Sequence, residues 1–349
     1  MKTSDFDYYL PESLIAQNPA FPRDACRLLV YDSKNDSVEH CHFYDLPKFL
    51  SKSDVLVLNK SRVVPARILF RVNGSLREIF LLKQISLNTY EVLLKPARNF
   101  KVGVIVRVSE ELECSVTEVL DDGRRILSFN LLSGVDLNSV LFKLGSMPLP
   151  PYIKHSKAVF EDYQTVFAEK DGSKAAPTAG LHFTRELLSN LKTMGVDIEE
   201  VVLHIGLGTF APVVAENLGD HKMHFEEYEM PLDVARKLNE AVMNKKRIVA
   251  VGTTSVRVLE SSFDLEKSSF VSGTANTNIF IYPGSYDWKV VDSLITNFHL
   301  PKSTLIMLVS SLLESKGVKN PVKKILSLYE LAVKENYKFF SFGDAMLII

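Results

Sequence analysis

A chain of 349 residues exceeds the usual ceiling for one hydrophobic core, and 46% hydrophobic against 24% charged residues argues against wholesale disorder. A formal net charge of −1 excludes a strongly basic, charge-driven nucleic-acid binder, although binding through shape and a few contacts would leave no trace in the total. Cys26, Cys41 and Cys114 are odd in number and lack CxxC spacing, which points to free thiols in a reducing cytoplasm rather than a disulfide framework.

The N-terminus carries Asp5, Asp7 and Glu12 and no apolar h-region, so no secretory signal is expected. Residues 54–58 (DVLVL) form a short, continuous apolar run bounded by turns, the pattern of a fully buried strand. From about residue 66 the texture changes. Short β-rich runs at 66–72, 78–85, 89–95, 104–109, 112–120 and 125–131 follow one another at hairpin spacing. Asn73-Gly74, residues 86–88, 101–103 and Asp121-Asp122-Gly123 supply the turns, and six such runs predict a small antiparallel barrel or sandwich. Met147-Pro148-Leu149-Pro150-Pro151 ends the stretch as a stiff, extended linker.

Beyond the linker the pattern is mixed α/β. Residues 185–194 have helical spacing, opened by Thr184 and closed by Gly195; 201–204 read as a strand, 234–244 as a helix and 247–251 (RIVAV) as a second buried strand. Residues 305–313 are the most apolar run, yet they contain two serines and fall short of the ~20 residues that span a bilayer. Ser303 and Gly317 cap them as a buried core helix, and Pro321 opens a last helix over 321–335. The texture therefore predicts a discontinuous α/β domain, residues 1–65 plus 152–349, interrupted by a β-rich module at 66–151.

Five of the eight histidines fall between residues 182 and 299, four of them within two residues of Gly, Thr, Asn or Pro. Such segments suit loops where backbone amides approach a ligand and an imidazole transfers protons, although any one histidine has a plain structural reading. A metal site at His221, His224 and His204 is disfavoured by loose spacing and by the absence of HExxH or CxxC. Gly206-Leu207-Gly208 resembles the start of a dinucleotide fingerprint, but Pro212, Val213 and Val214 argue against the helix it needs, so a tight turn against a ligand is expected. Gly252-Thr253-Thr254-Ser255-Val256-Arg257 follows a buried strand and precedes a helix. Its free N–H groups suit a carboxylate or phosphate, with Arg257 as a possible bidentate clamp; the plainer alternative is a capping turn with a surface arginine. Arg62, Arg67, Arg71 and Arg98 are candidate phosphate contacts, but residues 67–143 hold 11 Lys and Arg against 9 Asp and Glu, no electrostatic footprint of their own.

Taken together, these segments resemble the S-adenosylmethionine:tRNA ribosyltransferase-isomerase family of queuosine biosynthesis. The likeness runs through Leu14-Ile15-Ala16-Gln17, Arg23-Asp24, Arg27-Leu28-Leu29, Val57-Leu58-Asn59 and Pro65-Ala66-Arg67. It continues through Ala175-Ala176-Pro177-Thr178-Ala179-Gly180-Leu181-His182-Phe183-Thr184, His204-Ile205-Gly206-Leu207-Gly208-Thr209-Phe210 and the Gly252–Arg257 turn. Leu294-Ile295-Thr296-Asn297-Phe298-His299-Leu300-Pro301 and Ser341-Phe342-Gly343-Asp344-Ala345-Met346 complete it. Two departures stand out: Lys60 replaces the acid that relatives usually carry, and the loop at 283–288 is one residue longer.

The resemblance implies an α/β (mixed α+β) fold, a larger barrel-like catalytic domain with an inserted small antiparallel β-barrel. It implies transfer of the ribosyl part of S-adenosylmethionine to 7-aminomethyl-7-deazaguanine at the tRNA wobble position, giving epoxyqueuosine, adenine and methionine. No metal or redox cofactor is implied, since S-adenosylmethionine is consumed. Carried onto this sequence, His182 and His204 are the expected proton-transfer pair, with His299 the third candidate. Gly206, Gly208, Thr209 and Phe210 would hold the nucleoside; Thr253, Thr254 and Arg257 the methionine carboxylate; Thr178 and Asn297 are further substrate contacts. Arg23, Arg62 and Arg67 are the candidate tRNA contacts, in a cytoplasmic monomer with no membrane attachment. The competing expectations are an S-adenosylmethionine-dependent tRNA methyltransferase and a non-catalytic RNA-binding protein. The first lacks its glycine-rich strand–turn–helix, and the second is disfavoured by neutral charge and clustered histidines.

Overall fold

The computed structural model describes residues 1–132, 134, 136–206 and 213–349. The chain divides into two compact units, Met1–Arg62 with Pro150–Ile349, and Val63–Leu149.

The larger unit is built on a nine-stranded mixed sheet. Its order is Gly273–Thr277, Glu226–Met230, Asp197–Leu203, Asp54–Asn59, Arg247–Val251, Ser293–Asn297, Ala345–Ile348, Arg27–Asp32 and Ser37–His42. The four strands from Asp197–Leu203 to Ser293–Asn297 are mutually parallel, and antiparallel pairings flank them on both sides. Central parallel strands are covered on both faces, which is why Asp54–Asn59 is buried at all six positions and reads as an unbroken apolar run.

Side chains alternate across this sheet and so divide the core in two. Val55, Val57, Ile248, Ala250 and Leu294 point into a core with Leu238, Leu259 and Leu312, contributed by the helices Leu232–Met243, Gly252–Ser262 and Thr304–Ser315. Leu56, Leu58, Val249, Val251 and Ile295 point the other way, onto Phe183, Leu187 and Leu191 of the helix Arg185–Thr193 and the turn before it. Each fully buried Leu or Val contributes about 1.5–3 kcal/mol of transfer free energy, so the sheet centre is the most costly place to truncate. Helix ends follow the expected caps: Thr184 accepts from Leu187 N at 3.1 Å, Gly195 turns the chain at φ +85, and Pro321 starts the helix Pro321–Lys334. Among the described residues, no helix is long and apolar enough to cross a membrane.

The smaller unit is a seven-stranded, wholly antiparallel sheet, ordered Gly145–Ser146, Arg67–Val72, Ser75–Ser86, Thr89–Lys95, Arg125–Leu131, Leu112–Val119 and Ile105–Arg107. Register shifts between Leu81 and Lys83, Gln84 and Ser86, and Ile126 and Leu127 bend the strands, giving a curled half-barrel. Asn73 and Gly74, both at positive φ, form the tight hairpin turn that their sequence requires. A helix, Leu137–Leu144, was not expected; Asp136 caps it by accepting from Ser139 N at 3.0 Å, and Leu137, Val140 and Leu141 bury its apolar side.

Candidate active site

The strand Arg247–Val251 runs directly into the helix Gly252–Ser262, and Gly252 makes the bend at φ +82, a conformation open to glycine. The neighbouring strand Ser293–Asn297 lies parallel, with Val251 opposite Ile295, so Thr253 and Asn297 emerge side by side at adjacent carboxyl ends. Open α/β sheets bind ligands in such crevices. Here the crevice is a cavity of about 360 Å³, walled by Thr178 of the turn Thr178–His182, by Thr253 and Thr254, and by Asn297 and His299. That volume lies toward the lower end of the roughly 300–1,000 Å³ typical of small-molecule sites.

No side chain caps the helix Gly252–Ser262, which leaves its first N–H groups for a ligand. Thr254 Oγ1 is sealed from solvent without a hydrogen-bond partner among the described residues, as is Asn297 Oδ1. Unsatisfied buried atoms of this kind call for a physical account, and a bound ligand supplies one.

The three histidines expected at the site are not equivalent. His299 lines the cavity; its Nε2 is 2.8 Å from Thr296 Oγ1, its amide N–H donates to Tyr329 OH at 3.2 Å, and its carbonyl accepts from Tyr8 OH. Burial pushes its pKa down to about 3, so the ring is neutral at ordinary pH. His182 sits behind Asn297, its Nε2 3.1 Å from Asn297 Nδ2 and its Nδ1 3.2 Å from Cys26 Sγ. Burial lowers its pKa to about 4, with Arg23 adding to the depression. His204 follows the strand Asp197–Leu203 and packs on Gly172, with Nδ1 sealed and without a partner among the described residues; burial lowers its pKa too. Only His299 of the three belongs to the cavity wall described above.

Arg257 is not among the residues that line this cavity. Its guanidinium is 4% exposed and paired with Glu226, whose Oε1 accepts the Gly206 N–H at 2.9 Å. Gly206 is thereby fixed, whereas Gly208, Thr209 and Phe210 lie outside the described residues. Glu226 was not anticipated; its only sequence signal is an acid among aromatic and other acidic residues, Phe225, Glu227, Tyr228 and Glu229. Asn59 was also passed over as a structural group: its Oδ1 accepts from Leu203 N and Ser61 N, and its Nδ2 donates to Leu203 O, bridging two central strands.

The expected tRNA contacts differ in availability. Arg23 spends its guanidinium on the Gln164 and Glu161 carbonyls. Arg62 is half exposed with Asp171 at 3.8 Å, and Arg67 bonds the Leu149 carbonyl at 3.3 Å with Glu78 at 3.8 Å. Arg71 closes its own hairpin by bonding Gly74 O at 2.7 Å. His221 packs edge-on against Phe280 with ring centroids 5.1 Å apart.

The family model described as "Queuosine biosynthesis protein" matches residues 3–348. A protein of Fusobacterium nucleatum named S-adenosylmethionine:tRNA ribosyltransferase-isomerase is 49% identical over 348 residues, covering 99% of this chain and 96% of that one. A protein of Thermosipho melanesiensis with the same name is also 49% identical, over the whole of both chains. The crystal structure of S-adenosylmethionine tRNA ribosyltransferase from Thermotoga maritima is similar at 37% identity and a TM-score of 0.56, covering 99% of this chain and all of that one. The chain belongs to the queuosine biosynthesis protein family, the S-adenosylmethionine:tRNA ribosyltransferase-isomerases.

Proposed function

We propose that this enzyme transfers and isomerises the ribosyl moiety of S-adenosylmethionine onto 7-aminomethyl-7-deazaguanine at a tRNA wobble position. The products are epoxyqueuosine in the tRNA, adenine and methionine. The observation that carries this reading is one cavity, about 360 Å³, where Thr178, the Thr253-Thr254 helix start, Asn297 and His299 meet. It occurs in a chain alike over its whole length to proteins named for this activity.

In this reading the N–H groups at Thr253 and Thr254 receive the methionine carboxylate, and Arg257 serves at one remove, holding that helix to Glu226 and Gly206. Thr178 and the segment from Gly206 to Phe210 hold the nucleoside. The sulfonium acidifies the protons on the adjacent ribose carbon, and neutral His299, at the cavity wall, is the base that takes one. Adenine departs with a proton on its ring nitrogen, a role assigned to His204. Methionine leaves as a neutral thioether and needs no acid. No metal or redox cofactor enters the scheme.

The larger unit is then the catalytic, α/β barrel-like domain, and the curled sheet of Val63–Leu149 an inserted β-barrel. Arg62 and Arg67 would meet tRNA phosphates, Arg23 doing so only by giving up its carbonyl contacts. The enzyme would work in the cytoplasm as a monomer.

The test is incubation with S-adenosylmethionine and tRNA carrying the aminomethyl-deazaguanine, with mass spectrometry of nucleosides and small molecules. Adenine, methionine and a modified wobble base released together support the reading. S-adenosylhomocysteine would mean methyl transfer instead, and binding without turnover an RNA-binding role.

A further inference from the structure

Both ring nitrogens of His182 are engaged inside the protein, although its motif makes it the obvious proton carrier. One terminal atom of the Asn297 amide lies 3.0 Å from the Phe340 carbonyl oxygen, which can only accept, so that atom is Nδ2. The same Nδ2 is 3.1 Å from His182 Nε2. Nε2 must therefore accept, and the single proton of the neutral ring resides on Nδ1, where it meets Cys26 Sγ at 3.2 Å. Phe43 packs against the ring at a centroid distance of 5.1 Å, and Cys26, His182 and Asn297 are 5%, 4% and 2% exposed. Of the polar atoms on these three side chains, Asn297 Oδ1 is the one left without a partner among the described residues.

We propose that His182 is a positioning residue. With the Phe340 carbonyl it locks the Asn297 amide so that Oδ1 remains to accept an N–H or O–H of S-adenosylmethionine, and it exchanges no proton with the substrate. The inference rests on the function proposed above. Asn297 stands beside Thr253 at the next strand end, so the α-ammonium of a substrate whose carboxylate is held at Thr253 and Thr254 is the donor that fits. Cys26 serves as the acceptor that keeps the ring proton on Nδ1.

Gln and Asn substitutions separate positioning from proton transfer. A glutamine amide places an oxygen near the former Nε2, whereas the shorter asparagine reaches only the former Nδ1. Positioning predicts that His182→Gln keeps kcat and the KM for S-adenosylmethionine within about 3-fold, while His182→Asn and Asn297→Ala raise KM by roughly 10- to 100-fold. The pH profile of kcat should be the same in all of them. A proton-transfer role predicts instead that Gln and Asn fail alike, with kcat down about 100-fold or more. A His182→Gln protein that is folded and inactive overturns the proposal. Should that variant not fold, nitrogen NMR of the wild-type ring decides: a neutral Nδ1–H tautomer supports the proposal, and an Nε2–H tautomer or an imidazolium at neutral pH overturns it. Release of adenine and methionine by the wild type is measured first; its absence would sink the function, whereas its presence beside an inactive His182→Gln sinks this inference alone.

Discussion

Arg257 and Glu226 form an ion pair sealed within the larger unit, their side chains only 4% and 5% exposed. The pair ties the helix Gly252–Ser262 to the strand Glu226–Met230, and through Glu226 Oε1 to the Gly206 amide at 2.9 Å. A buried charge that loses its partner costs about 3–5 kcal/mol, because water cannot replace what was removed. Arg257→Met and Glu226→Gln are each expected to lower the unfolding free energy by about that amount. Gln keeps an oxygen for the Gly206 amide, so its loss isolates the charge. The double variant should recover most of the deficit, which urea denaturation of all four proteins will read. Losses that simply add would show that the two residues do not couple.

Thr254 carries a hydroxyl with no partner among the described residues at the start of a ligand-ready helix. Replacing it with valine keeps the volume and removes the unsatisfied group. Thr254→Val should therefore be as stable as the wild type, or up to about 1–2 kcal/mol more stable, since a buried unpaired hydroxyl is a cost. Its KM for S-adenosylmethionine should rise about 10-fold if the hydroxyl bonds the ligand. Thermal unfolding with and without S-adenosylmethionine measures both effects, and an unchanged ligand-induced shift would remove Thr254 from the site.

Burial holds His182 and His299 neutral, with pKa values of about 4 and about 3 against an ordinary 6.5. Above pH 6.5 neither the folded nor the unfolded chain protonates them, and their stabilising contribution is complete. As the pH falls below 6.5 the unfolded chain takes up two protons that the folded chain refuses. Stability then drains by up to about 1.4 kcal/mol per pH unit for each histidine, until the folded-state values are reached. Urea unfolding between pH 7 and 5 should show this loss. His182→Gln and His299→Gln should each reduce the slope by about one proton. A slope that the substitutions leave untouched would mean that the rings are solvated in the folded chain.

The parts of this architecture legible in the sequence are those written in local pattern. Asp54–Asn59 and Arg247–Val251 are continuous apolar runs because both sheet faces are covered there, and Asn73-Gly74 and Thr184 carry their turn and cap chemistry in themselves. Pairing is not local: Arg27–Asp32 lies parallel to Ala345–Ile348, more than three hundred residues away, and periodicity names no partner. The helix Leu137–Leu144 hid among β-rich neighbours although Asp136 and Ser139 form its cap. At the site, spacing located the segments but not the direction of their side chains. Motif order alone could not place Arg257 against Glu226 or His182 against Cys26, because both facings depend on which strand ends the fold brings side by side.

Gly172 offers a way to move His204 without altering it. Its φ of +140 is a backbone region that L side chains rarely adopt, and an added Cβ would lie 2.8 Å from His204 Cε1 and 2.9 Å from Nδ1. Gly172→Ala must therefore either shift the imidazole or bend the strand Lys170–Ser173, at a cost of about 1–3 kcal/mol. Gly195→Ala is the matched control: φ is +85 and the nearest atom is Lys52 Cβ at 3.3 Å, at a helix end and beside no histidine. Both variants should lose stability, but only Gly172→Ala should lose kcat, by about 10-fold or more if His204 delivers the proton to departing adenine. The KM for S-adenosylmethionine should stay near the wild-type value in both. Equal kcat in the two variants at matched folded fraction would remove His204 from the chemistry and leave adenine's proton to a group in residues 207–212 or to water.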